Sequence, residues 1–281
     1  LEARGDHTDA DTHATAALEL FARFGDLSGN PVAAAMTSLR GRYALERGDL
    51  DQADRFVRAA LVERFRMLPV ESLDLRSSIA DAANLARLRP ESELGRAFRR
   101  AWPNLSDEAL RTDLALVGSS VRTDWTRPVD RGRTSALIRI LRLQESLLGP
   151  NDPSLVGTLM AINLSGEVEN RSDDRVLALE RAATILTQRF GPTDLSVLLC
   201  NEIRGMMLMG LGREQDAVAL GRQIVAYWDS LPPRAKDPLL AAASRRRLGL
   251  YLSIAEQHQE AAEQFRLTVQ ELDAIVGERH H

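Results

Sequence analysis

At 281 residues, 44% hydrophobic and 27% charged, the chain has the composition of an ordinary soluble, folded polypeptide and is too apolar for wholesale disorder. Its formal net charge of −4 leaves no electrostatic case for nucleic acid, whose binders usually carry a basic excess. No apolar run approaches the roughly 18–20 residues of a membrane span, no signal peptide opens the chain, and one cysteine excludes an internal disulfide framework, so a reducing cytoplasm is the expected compartment. Aromatics are sparse while Ala, Leu and Arg abound, which favours helix throughout. Lys236 is the only lysine. Coding bias accounts for that most simply; bidentate anion recognition by guanidinium is the functional alternative.

The first predicted helix, 6–24, opens with Arg4-Gly5-Asp6-x-x-x-Ala10-Asp11, which recurs 43 residues later as Arg47-Gly48-Asp49-x-x-x-Ala53-Asp54. A copy at that offset, where one helical pattern gives way to another, marks a helical repeat array. Helices over 31–47 and 51–66 follow, with Gly41 twelve residues before Ala53. Small residues at both places let two antiparallel helices approach closely across a short polar turn. The spacing returns at Gly166/Ala178, Gly205/Ala217 and Gly249/Ala261, and more weakly at Ala83/Gly95.

Helices over 71–88, 91–101, 107–122 and 131–148 have altered spacing, because Arg89-Pro90, Trp102-Pro103 and Arg127-Pro128 interrupt them. Beyond 148 a 42-residue step appears: Leu148-Gly149-Pro150-x-Asp152, then Phe190-Gly191-Pro192-x-Asp194, then a looser Leu231-Pro232-Pro233 with Asp237-Pro238. Gly ends one helix, Pro blocks its continuation and Asp caps the next. This places helices over 153–169, 173–190, 194–211, 214–230, 237–256 and 259–276, thirteen in all. The helix at 6–24 lacks a partner and Leu1 is not an initiator residue, so the chain reads as a fragment; His280-His281 reads as a tag remnant.

No phosphate loop, zinc spacing or nucleophile elbow is present, and no catalytic constellation or cofactor motif emerges. Asp6-His7-x-Asp9-x-Asp11-x-His13 resembles a metal cluster, but His7 and His13 lie about 240° apart on a helix. Its acids coincide with Asp49 and Asp54 and read as turn and cap residues. Cys200 sits in an apolar run and reads as a buried, inert thiol. Successive members of Arg245-Arg246-Arg247 point about 100° apart, so one or two at most can share a face. Met206, Met207 and Met209 read chiefly as core.

The small residues at Gly41/Ala53, Gly205/Ala217 and Gly249/Ala261, with turn glycines Gly48 and Gly212, resemble tetratricopeptide repeats (TPRs). At the third turn Glu256 replaces the glycine. The 42-residue Leu-Gly-Pro-x-Asp-Pro units are similar to the kinesin-light-chain subtype, and the Leu20–Asp26 run to repeats of large bacterial signalling ATPases and transcription activators. The resemblance implies an all-α, right-handed superhelical solenoid of antiparallel helix pairs, about six and a half repeats. It would be a single array over 1–281, regular in 1–70, irregular in 71–148 and of the 42-residue type in 149–281.

Such arrays line a concave groove with the first helix of each pair. Carried onto this sequence, the groove residues are Ser38 and Arg42; Asn84 and Arg87; Met160, Asn163, Glu167 and Asn170; Glu202, Met206 and Met209; and Arg246, Leu250 and Ser253. The resemblance implies a non-enzymatic region of a larger bacterial signalling or transcription regulator, binding a protein or peptide there. The Lys/Asn/Arg clamp that some members use on a terminal carboxylate is missing. The alternative is a receptor for a small molecule or signal peptide that changes curvature on binding, with a closed pocket around Trp102 and Trp125. Self-association through an apolar face at 6–24 is a further expectation.

Overall fold

A computed structural model describes residues 7–24, 29–104, 106–118, 132–165 and 172–278. All the regular structure among them is helical, in thirteen helices: α1 (His7–Phe24), α2 (Pro31–Glu46), α3 (Leu50–Met67), α4 (Leu73–Leu88), α5 (Glu93–Ala101), α6 (Asp107–Gly118), α7 (Arg133–Leu148), α8 (Leu155–Leu164), α9 (Ser172–Phe190), α10 (Leu195–Gly210), α11 (Glu214–Ser230), α12 (Pro238–Ile254) and α13 (His258–Glu278). Each lies within a predicted segment or within a few residues of one. The helix predicted over 107–122 is described to Gly118, and 119–131 lies outside the described residues.

The punctuation works as its chemistry dictates. Asn30 caps α2 by accepting from the Val32 and Ala33 amides at 2.9 and 3.2 Å, with Pro31 in the first turn. Asp49 accepts from Gln52 N to start α3, and Asp237 accepts from Leu239 N and Leu240 N to start α12. Asp54, read as a cap, instead lies inside α3. Asp152 stands two residues ahead of the α8 cap position, which Ser154 takes, and accepts from the Ser154 amide at 2.9 Å. The tight turns need a left-handed residue: Gly48 at φ 76° and Gly212 at φ 69° supply it freely. Glu256 takes φ 61° in the third such turn at a steric cost.

The chain forms two compact units, residues 1–167 and 168–281. In the first, α2 packs along α3, α4 along α5 and α6 along α7, while α2, α4 and α6 are also neighbours in that order. Its centre holds fully buried Leu61, Leu75, Ile79, Leu94, Phe98, Leu137 and Ile140. Within 71–148, α5 is only nine residues long, and α3 also contacts α7. In the second unit, α9 packs on α10, α10 on α11, α11 on α12 and α12 on α13. One core runs through Val218, Ile224, Val225, Trp228, Leu248, Tyr251 and Leu252.

Close approach at the glycines is direct. A Cβ on Gly41 would stand 2.7 Å from a Val57 methyl, and one on Gly249 would stand 2.8 Å from the Phe265 ring. Gly205 differs from the expectation that it would meet α11. The residue sixteen places on, Val57 and Phe265 in the other two pairs, is here Gly221. The gap is filled by Tyr251 of α12, whose hydroxyl would lie 2.9 Å from a Gly205 Cβ.

Candidate functional site

In the first unit the row α2–α4–α6 presents a polar face. Arg64 reaches from α3 between two of these helices, donating to Ser38 of α2 at 3.5 Å and to Ser78 of α4. Burial lowers the Arg64 pKa, with Asp74 and Asp81 opposing it. Burial raises that of Asp81, against the pull of Arg42 and Arg64. Arg87 donates to Asn84 at 2.9 Å and pairs with Asp107 at the head of α6. Arg42 and Asn84 are exposed and Ser38 is buried. Asn163 is only 2% exposed, so its amide is part of the interior and presents nothing to an outside ligand; Met160 is half-buried. Glu167 and Asn170 lie outside the described residues.

Trp102 is a core residue. Its ring stacks on Phe98 at 5.7 Å, and its indole N–H donates to Asp113 Oδ2 at 2.6 Å. Arg139 donates to both oxygens of the same buried carboxylate, at 2.7 and 2.8 Å. Trp125 lies outside the described residues.

In the second unit α10 and α12 together present a different face. Glu202, 8% exposed, pairs with Arg247 across the two helices, and Tyr251 of α12 closes on Gly205 of α10. Outward of that contact, Leu195, Leu199 and Met206 recur at helical spacing on α10, each 42–47% exposed. Forty-four residues later on α12 come Leu239, Ala243 and Leu250, with exposed Arg246 at the place corresponding to Glu202. The leucines at 195, 199 and 239 were absent from the expected groove set. Met207 and Met209 pack at the edge of the core, whereas Met206 points outward. Ser253 is exposed.

The triple arginine separates as the 100° step requires. Arg245 is buried and donates to Asp229, Gln264 and Glu271; Lys236 pairs with the same two acids. Arg246 is exposed and Arg247 holds Glu202. Cys200 is buried, its thiol 3.3 Å from the Leu179 carbonyl, and burial pushes its pKa up to about 11, which keeps it an unreactive thiol. Asp11, read as a turn or cap residue, lies inside α1 and pairs with Arg40 and Arg47 at 3.2 and 3.1 Å. Among the described residues no group of three or more His, Cys, Asp or Glu is placed to hold a metal ion, and no helix is long and apolar enough to cross a membrane.

Three observations define the repeat. Gly41 and Gly249 touch their partner helices, Ala53, Ala217 and Ala261 are buried opposite, and positions 48, 212 and 256 turn left-handed between the helices. The repeat is TPR-like. No family model matches the chain, and no curated protein sequence does. Solved structures similar to it include BtubC (BKLC) from P. vanneervenii, at 12% identity over 97% of this chain and 93% of that one, with a TM-score of 0.48. A putative kinesin light chain from Podosopora anserina with nearly identical TPR-like repeats is 15% identical over 88% and 98%, TM-score 0.48. A singly substituted form of that kinesin light chain gives 14%, 88%, 96% and 0.46.

Proposed function

We propose that this chain is a non-enzymatic binding module of a larger bacterial, cytoplasmic signalling or transcription regulator, and that it holds a protein segment or peptide on the first-helix faces of its repeats. The observation that supports this most strongly is the α10/α12 face: five large apolar side chains, all 42–50% exposed, line up on two neighbouring helices around Arg246. Such a stripe gains free energy when covered, at roughly 25 cal/mol per Å² of apolar surface. Arg246 would orient a ligand by offering a charged donor among apolar contacts. In the first unit, Arg42, Asn84 and Arg87 occupy the corresponding face as peripheral polar contacts that add little to the affinity. Of the other groove residues, Met209 would form the floor beside Met206, while Asn163 and Glu202 would hold the scaffold rather than the ligand; Glu167 and Asn170 remain proposed contacts.

The test is selection of peptides by display on the folded chain, followed by titration of the selected peptides. Leu199→Asp and Leu250→Asp are each expected to weaken binding at least about tenfold, the order of loss when an apolar anchor is removed. Peptides that bind both variants as tightly as the parent would place the ligand elsewhere and refute this reading.

A further inference from the structure

Helix α13 carries an apolar heptad that is only half used. Ala262, Phe265, Val269, Leu272 and Val276 follow the three-four spacing of a helix-packing stripe. Phe265 is spent inside the unit, against Gly249. Ala262 is exposed, and Val269, Leu272 and Val276 are 56%, 39% and 54% exposed. One repeat earlier, the corresponding residues of α11 are Val218, Gly221, Val225 and Trp228, all buried. They are covered by α12, which runs antiparallel: Gly221 faces Leu248 and Tyr251, while Trp228 donates to Ser244 at 3.1 Å. On α13 the same places are uncovered among the described residues. The surface is thus shaped for an antiparallel helix.

Charge selects which helix. Arg266 and Asp273 flank the stripe on one side, seven residues apart. Lay a second, reversed α13 on the first so that Val269 meets Leu272 of the second copy. Phe265 then falls level with Val276 of that copy, and Arg266 falls beside its Asp273. The two-fold repeats the same contacts in the other direction. Arg266 holds Glu263 through Nε and Nη2, at 2.9 and 2.5 Å, a pairing that does not use Nη1. Asp273 is exposed. In this register the Val269–Leu272 and Phe265–Val276 layers coincide with both Arg266–Asp273 pairs.

We infer that α13 is a homodimerisation surface, with two copies of the chain packing antiparallel through Val269, Leu272 and Val276 and exchanging Arg266–Asp273 pairs. This uses neither α10 nor the exposed face of α12, so it stands apart from the peptide-binding reading. It also differs from the self-association expected at 6–24.

Sedimentation velocity of the chain between about 1 and 200 µM tests it. The parent should show a monomer–dimer equilibrium, and Val269→Glu should be monomeric with unchanged circular dichroism. Arg266→Asp alone creates two acid–acid contacts across the two-fold, and Asp273→Arg alone creates two base–base contacts. Each should weaken the dimer about tenfold. An equimolar mixture of those two variants restores complementary pairs and should form a heterodimer within about threefold of parental affinity. A parent that stays monomeric throughout, a dimer indifferent to Val269→Glu, or a mixture no tighter than its components would each overturn the inference. The charge variants change only exposed side chains, so they decide the matter even if Val269→Glu fails to fold.

Discussion

Both units set first helices side by side, yet they spend the resulting face differently. In the first unit the polar groups satisfy one another: Arg64 bridges Ser38 and Ser78, and Arg87 ties Asn84 to Asp107. In the second, one deep pair, Glu202–Arg247, joins α10 to α12 and leaves apolar side chains facing outward. A face whose charges are already matched offers a ligand little, whereas an uncovered apolar stripe gains from any well-fitting partner. Each unit also has a polar hub in its interior. The first unit gathers Trp102 and Arg139 around one buried carboxylate, Asp113; the second gathers Asp229, Gln264 and Glu271 around one buried guanidinium, Arg245.

The largest expected effect lies in the irregular stretch. A Cβ on Gly95 would stand 2.2 Å from the Arg89 carbonyl oxygen and 2.7 Å from that of Pro90, so the α4–α5 turn itself would have to move. Gly95→Ala should cost about 3 kcal/mol in chemical denaturation. In the second unit the closest approaches to Gly205 and Gly249 come from side chains, which yield more easily, and Gly205→Ala should cost less. Equal costs would remove this distinction between a backbone contact and a side-chain one.

The two polar hubs come next. Asp113→Ala strands a buried indole N–H and a guanidinium, and Arg245→Ala strands two partly exposed acids and a half-buried glutamine. Each should cost about 2–3 kcal/mol, with Asp113 the more damaging because the Trp102 indole N–H that it leaves unpaired is buried. A loss below about 0.5 kcal/mol at either site would mean that the hub is not what holds its unit.

Two substitutions in the second unit should stabilise it. The Tyr251 hydroxyl is buried without a hydrogen-bond partner, and burial pushes its pKa up to about 12. Tyr251→Phe should therefore raise stability by about 1 kcal/mol. Glu256→Gly should add slightly less, since it relieves the left-handed strain at φ 61° but loosens the unfolded chain. Thermal melts would show both, and a drop in either would contradict the packing or turn described.

Much of the fold was legible because its punctuation is local. Gly48, Gly212, Asp49 and Asp237 act within a few residues of themselves, so turns and caps can be read along the chain. The faces were less legible because they depend on distant partners. Glu202 is buried because Arg247 meets it, 45 residues away. Gly205 packs on Tyr251 because Gly221 leaves a gap that nothing nearby in sequence reveals. Arg64 escaped notice because the resemblance directs attention to first helices, and Arg64 reaches across from a second one. Leu195, Leu199 and Leu239 escaped because an apolar residue at helical spacing is ordinarily core.

The contrast between the two faces can be measured on one ligand. A peptide selected on the parent chain should lose at least about tenfold in affinity with Leu199→Asp or Leu250→Asp and stay within about twofold with Arg42→Ala or Asn84→Ala. The reverse pattern, with binding sensitive to α2 and α4 and indifferent to α10 and α12, would contradict the account.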